Sequence, residues 1–168
     1  MTVRTYTKTI LLLALVTLGL GGTLLHLRIH ILPQIGENYS MLMPLVAGIL
    51  SVVIVPLLFL FKKTLAYGYV LNGILAILGT VTMAHFSLVH LSAPVSFATV
   101  MLNTTFGDIL LLWGKFLVGK SLFDLEMVGY DHSHEKKGIT YRYPNMGWWA
   151  IHLVVISTVY SLGHLLWR

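Results

Sequence analysis

The most constraining feature of this sequence is a series of apolar runs, several of which are as long as a membrane-spanning helix. A helix needs about 20 predominantly apolar residues to cross a hydrocarbon core of about 30 Å. The chain has 168 residues, of which 57% are hydrophobic and only 10% are charged, whereas soluble domains carry about 25% charged residues. The runs are too long and too apolar for the alternating strands of a β-barrel. The sequence therefore predicts an all-α integral membrane protein with a single transmembrane domain over residues 1–168.

A five-helix transmembrane bundle follows from the positions of these runs. The helices are predicted over residues 9–30, 44–61, 64–90, 95–118 and 148–167. Residues 121–147 are the one long polar segment and are predicted to form a cytoplasmic loop. Trp148 and Trp149 begin the fifth helix and Trp167 ends it, a placement typical of side chains at the two membrane interfaces.

The lysines and arginines predict the orientation of the bundle. Cytoplasmic segments of membrane proteins are enriched in these residues. With the N-terminus in the cytoplasm and the C-terminus outside, nine of them lie on the inner side and only two, Arg28 and Arg168, on the outer side. This distribution accounts for the net charge of +5, so no nucleic-acid partner is expected. The predicted location is a bacterial inner (cytoplasmic) membrane, with the lipid bilayer as the first partner.

Five of the eight histidines fall at one predicted depth, near the outer face. They come from the first, third and fifth predicted helices: His26, His30, His85, His90 and His164. Ionisable side chains within membrane spans tend to mark ligand sites or proton relays, and neutral imidazole is the commonest nitrogen ligand of metals. Each histidine alone is compatible with hydrogen bonds to headgroups or water. Together they predict a bound haem or metal ion.

A b-type haem is the leading interpretation, because it takes two axial imidazoles from different helices. One would be His26 or His30, and the other His90 or His164. Gly22 and Gly19 share a helix face with His26 and would offer a flat surface to the porphyrin, although close helix packing explains such glycines equally well. Arg28 lies where outward-pointing propionates would be. His85 and His90 point about 140° apart, and which of them faces the interior is left open.

These residues predict a small electron-transfer protein or subunit that exchanges electrons with quinone or with other membrane or periplasmic redox subunits. One alternative is a copper, zinc or iron binding or transport protein that uses the same histidines with Glu37, Met41 and Met43. Another is a cofactor-free membrane subunit or scaffold of a larger complex. The chain has no cysteine, which excludes thiolate-bound zinc, iron–sulfur clusters and covalent haem. It also lacks the common hydrolase and nucleotide-binding motifs, and enzymatic activity of the isolated chain is not expected.

A second set of polar residues predicts a proton or ion path. Asp108 falls near the middle of the fourth predicted helix, where a carboxylate must be paired, protonated or hydrated. Lys115 shares its face two turns away, about 10 Å along the axis, and His152 of the fifth helix is predicted at a similar depth. Asn72 of the third helix is expected nearby. The alternative is a buried polar contact that only holds these helices together. The segment Asp131-His-Ser-His-Glu135 is interpreted as a polar loop, not a chelate.

Overall fold

A computed structural model describes residues 2–26, 42–89, 105–130, 147–152 and 155. Residues 26, 42–44, 83–89, 105–106 and 108 are described by their backbone only. The helices are α1 (Val3–His26), α2 (Leu42–Ile49), a π-helical turn (Leu50–Ile54), α3 (Val55–Leu60), α4 (Leu65–Val89), α5 (Thr105–Val128) and α6 (147–152). Among these described residues there is no β-strand, which confirms the all-α prediction for them.

The second predicted helix is an α-helix interrupted by the π-helical turn. Ile49 and Val55, on either side of the turn, both have right-handed helical backbone angles, and the Val55 N–H donates to the Leu50 carbonyl five residues back. Pro56 follows directly, in the first turn of α3. A proline inside an α-helix removes a hydrogen bond and clashes with the carbonyl four residues earlier. The wider π-helical turn changes the backbone hydrogen-bond pairing just before Pro56. The chain therefore stays helical up to Leu60.

The helices pack in an antiparallel order around α5. Along α1, Arg4 contacts Glu126 and Gly19 lies against Lys115, so α1 runs opposite to α5. Along α4, Tyr69 stacks on Phe123, and Gly79 lies against Leu112 farther along both helices, so α4 also runs opposite to α5. Both α1 and α4 therefore begin at one end of the bundle. We call it the basic end, defined by Arg4, Lys8, Lys62, Lys63 and Lys120.

The core lies where α1, α3, α4 and α5 meet, and α6 closes one side of it. Its side chains with at most 1% exposure include Leu15, Val55, Phe59, Leu65, Phe116 and Leu122. Trp149 of α6 is also 1% exposed, and its indole N–H donates to the Tyr69 hydroxyl at 2.9 Å. Its ring lies over Gly73, where any side chain would overlap it. Trp149 therefore packs in the interior of the bundle, and the prediction that Trp148 and Trp149 lie at one membrane interface stays a prediction.

Within the part of the chain that the structure describes, two helices are long and apolar enough to cross a membrane, Val3–Leu25 and Leu65–Thr82. The apolar stretch Leu45–Leu60 is shorter, and α5 carries five charged residues. The polar segment predicted over residues 121–147 is helical up to Val128, ten residues beyond the predicted end of the fourth helix at 118. The reason is that its first charges are satisfied within the bundle. Lys120 and Asp124 form an ion pair one helical turn apart, and Glu126 contacts α1.

Candidate functional site

Lys115 of α5 is one of two buried charged residues in the described structure. The residue is 2% exposed, and its Nζ donates a hydrogen bond of 2.7 Å to Oδ1 of Asn72 on α4. The Asn72 amide nitrogen in turn donates to the backbone carbonyls of Lys115 and Phe116, each at 3.4 Å. Asn72 is itself 2% exposed. The two residues therefore form a buried polar pair that joins α4 to α5 through both ends of one amide.

Two glycines make room for this buried polar pair. A Cβ atom at Gly119 of α5 would overlap the Asn72 amide, so only glycine lets that side chain reach the α5 backbone. A Cβ atom at Gly19 of α1 would lie 3.1 Å from Cε of Lys115 and 3.4 Å from the Ser51 carbonyl oxygen. The aliphatic stem of Lys115 consequently crosses α1 at Gly19. The pair lies among three helices, with the lysine stem against α1 and the amide against α4 and α5.

The glycine face of α1 is covered by α5. Besides Gly19 against Lys115, a Cβ atom at Gly22 would lie 3.9 Å from Cβ of Leu111, which is ordinary contact distance. Gly22 is buried. These contacts are the close helix packing that small residues permit. Such packing was the alternative to a porphyrin surface for these glycines. The role predicted for Gly22 beside a haem stays a prediction.

A second cluster fixes the basic end. The Glu126 carboxylate, with 1% of its side chain exposed, accepts a hydrogen bond of 2.8 Å from the Arg4 guanidinium and lies 3.3 Å from Nζ of Lys8. The Tyr130 hydroxyl donates to its other oxygen at 2.9 Å. Burial opposes ionisation of Glu126, but the Arg4 and Tyr130 hydrogen bonds and the Lys8 charge outweigh it and hold the pKa of that carboxyl below its ordinary value. Burial together with the bond to Glu126 raises the pKa of the Tyr130 hydroxyl.

Glu126 is a residue whose role was missed from the sequence. The signal is present in the spacing of α5, because the buried residues Lys115, Gly119, Leu122 and Glu126 recur every three or four positions. This spacing places Glu126 on the same buried helix face as Lys115, although Glu126 lies beyond residue 118, where the span was predicted to end. The predicted proximity of Asn72 and Lys115, by contrast, is confirmed by their hydrogen bond.

His152, the third residue of the predicted proton path, is held by its own helix. Its Nδ1 lies 2.7 Å from the Trp148 carbonyl oxygen, and its ring stacks on the Trp148 indole with 3.8 Å between ring centroids. Asp108 lies in α5, described by its backbone only. The path through Asp108, Lys115 and His152 stays a prediction, of which the structure describes the contacts of Lys115 and His152.

The register of the helices bears on the predicted histidine site. Gly22 of α1 lies opposite Leu111 and Gly79 of α4 lies opposite Leu112. Continuing both antiparallel registers by one to two turns brings the backbone positions of His26 and His85 level with residues 106–108 of α5, which include Asp108. We call this the histidine end, defined by His26, His85 and Asp108. It is the end opposite the basic end.

The other predicted ligands lie outside the described residues: His30, His90, His164, Arg28, Glu37 and Met41. Among the side chains that the structure describes, no group of three or more histidine, aspartate or glutamate residues is placed to hold a metal ion. No protein-family model matches the chain, and no curated protein or solved structure is significantly similar to it.

Proposed function

We propose that the chain is an integral membrane protein with five spans and its basic end in the cytoplasm. The support is the surface of its apolar helices. Only 17% of the most apolar window of α1 and 39% of that of α4 are buried by the rest of the bundle. The core helix of a soluble protein is mostly buried, whereas Leu13, Leu24 and Leu78 here are 56–62% exposed. Apolar surface of this extent is stable in lipid.

The proposed orientation follows from the uneven distribution of basic residues between the two ends of the bundle. Lysines and arginines gather where α1 and α4 begin and where α3 and α5 end, as cytoplasmic segments require. The chain contains no cysteine, so single cysteines can be introduced without background. A membrane-impermeant maleimide should label Ser92→Cys in intact cells and Lys62→Cys only after permeabilisation. The reverse pattern would refute the proposed orientation.

Within this topology, we infer a small electron-transfer protein that binds b-type haem at the histidine end. The observation that supports the inference is that α1 and α4 run parallel, so both helices lead toward the same end of the bundle, where their histidines are predicted. The axial ligands would be His26 or His30 with His90 or His164. When bound, haem supplies one-electron chemistry, and quinone or a second redox subunit would exchange the electron.

A transition-metal binding protein is the second candidate, favoured by the position of Asp108. The backbone position of Asp108 is level with those of His26 and His85, and imidazole and carboxylate are side-chain types that bind iron, copper or zinc. In that case Lys115 and Asn72 would lie about two turns inward from the metal, between the histidine end and the cytoplasm. The third possibility is a cofactor-free subunit of a larger assembly.

One set of purified proteins distinguishes these functions. The chain is expressed with added haem precursor, and its visible spectrum and metal content are measured. The haem proposal predicts a Soret band that is lost in His26→Ala or His30→Ala and in His90→Ala or His164→Ala. It should be retained in the matched control His152→Ala, whose ring stacks on Trp148.

The remaining outcomes refute the haem proposal. Metal without a Soret band, lost in the combined His26→Ala and His85→Ala variant, identifies the metal-binding protein. If the purified chain has no Soret band and no stoichiometric metal, and other subunits stably co-purify with it, it is the cofactor-free subunit.

A further inference from the structure

An apolar groove runs along the outside of the bundle between α1 and the chain from the π-helical turn to α3. It has a volume of about 380 Å³. Its walls include the side chains of Thr9, Leu13 and Val16 on one helix and Val53, Pro56 and Leu60 on the other. Leu13 is 62% exposed and Val53 47% exposed, so the groove opens to the outside along its length.

The groove is positively charged at the end formed by Thr9 and Leu60. Lys8, next to the groove residue Thr9, reaches across to the other wall, where its Nζ lies 3.1 Å from the Leu60 carbonyl oxygen. Lys62 and Lys63 follow Leu60 by two and three residues and are exposed to solvent. Arg4, one turn before Lys8, keeps 59% of its side chain exposed. The one carboxylate that contacts these cations in the described structure, Glu126, is buried and offsets a single charge.

The length of the groove fits within one leaflet of a bilayer. From Thr9 to Val16 an α-helix rises about 10 Å, within the about 15 Å of hydrocarbon that one leaflet provides. The apolar walls therefore extend from the cationic mouth toward the middle of the membrane. A ligand that fits has an anionic group at one end and a hydrocarbon chain behind it.

We propose that this groove binds one anionic phospholipid of the cytoplasmic leaflet. Its phosphate lies against Lys62 and Lys63, and one acyl chain lies between Leu13 and Val53. Clusters of lysine and arginine at the cytoplasmic ends of membrane helices favour anionic headgroups. The proposal rests on the membrane location and orientation proposed above and is independent of whether haem is bound at the opposite end.

Native mass spectrometry of the detergent-purified chain tests the site. The protein is mixed with equal amounts of dioleoyl phosphatidylglycerol and dioleoyl phosphatidylcholine. We expect one molecule of phosphatidylglycerol to be retained in clear preference to phosphatidylcholine. Since each lysine near an anionic surface contributes about a fivefold change in binding, Lys62→Gln with Lys63→Gln should reduce the preference by about 25-fold.

Substitutions in the groove walls distinguish lipid bound in the groove from lipid that contacts the protein surface in general. Val53→Trp and Leu13→Trp fill the groove from opposite sides and should each abolish retention of phosphatidylglycerol. Leu78→Trp is the matched control, because Leu78 is 56% exposed on α4, which does not line the groove. Helical content and gel-filtration elution confirm that each variant is folded.

Three results would overturn the proposal. The first is equal retention of the two lipids by the wild-type chain, and the second is a phosphatidylglycerol preference that survives both wall variants. The third is a dimer abolished by Val53→Trp, which would make a second copy the occupant of the groove. Failure of the membrane proposal is seen separately, as a chain that stays in the soluble fraction after cell lysis.

Discussion

Replacing Asn72 by leucine tests whether the buried polar pair stabilises the bundle. The change removes the acceptor that Nζ of Lys115 contacts at 2.7 Å and the amide shared by two carbonyls at 3.4 Å. A hydrogen bond to a charged group contributes about 1.5–3 kcal/mol. The long amide contact contributes about 0.6 kcal/mol, the average measured between membrane helices. We therefore expect Asn72→Leu to lower the free energy of unfolding by about 2–4 kcal/mol.

The matched variant removes the charge instead. Lys115→Met keeps an unbranched stem against Gly19 and leaves only the Asn72 carbonyl oxygen without its donor, for a loss of about 1–2 kcal/mol. In the double variant neither partner is left unpaired, and apolar replacement of both members of a buried polar pair is often neutral or stabilising. We expect its stability to lie within about 1 kcal/mol of the wild-type value.

The assay is reversible unfolding in mixed micelles, with detergent as the denaturant and tryptophan fluorescence as the signal. Trp149 reports on the region, because its ring lies 5.6 Å from that of Phe116, the residue after Lys115. The two single changes should be strongly non-additive. If the losses of Asn72→Leu and Lys115→Met simply add in the double variant, the two residues act independently and the reasoning is refuted.

Two further predictions concern the packing of α6 and the basic end. Gly73→Ala should displace the Trp149 ring and lower the free energy of unfolding by about 1–3 kcal/mol. Gly107→Ala should be neutral or stabilising by up to about 1 kcal/mol, because a Cβ atom there meets no atom within 4 Å; equal losses would contradict the assigned packing. Glu126→Gln should lower stability by about 1–3 kcal/mol. The pKa of Glu126 is below its ordinary value, so its contribution is present above about pH 4.3 and is lost as the pH falls through the folded-state pKa. Unfolding measured against pH should show this acid-side loss in the wild-type chain and a weaker one in Glu126→Gln; identical profiles would exclude the carboxylate.

The helical class could be predicted from the sequence because it follows from composition and from the length of the apolar runs. The starts and ends of helices were less predictable where charges are satisfied by another helix. Arg4 was assigned to a segment before the first helix, yet α1 begins at Val3, because Glu126 of α5 accepts its hydrogen bond. The partner is 122 residues away, and the sequence around Arg4 does not indicate it.

The candidate sites divide in the same way. The proximity of Asn72 to Lys115 was predictable from their similar depth in neighbouring predicted helices, whereas the hydrogen bond between them was not. The position of Trp149 was not, because aromatic side chains suit both an interface and a core. The space over Gly73 and the hydrogen bond to Tyr69 hold Trp149 in the core. The sequence predicts one depth for the five histidines, but their side-chain directions depend on tertiary contacts that periodicity does not contain.

The contact between Arg4 and Glu126 also bears on how the protein is made. A ribosome adds about 5–20 residues each second, so the acceptor for Arg4 is synthesised about 6–25 s after it. During that interval the first helix exists without the carboxylate that fixes its beginning. The start of α1 therefore reaches its final contacts only after residue 126 has been made, and a nascent chain halted before residue 126 should leave it accessible to proteases.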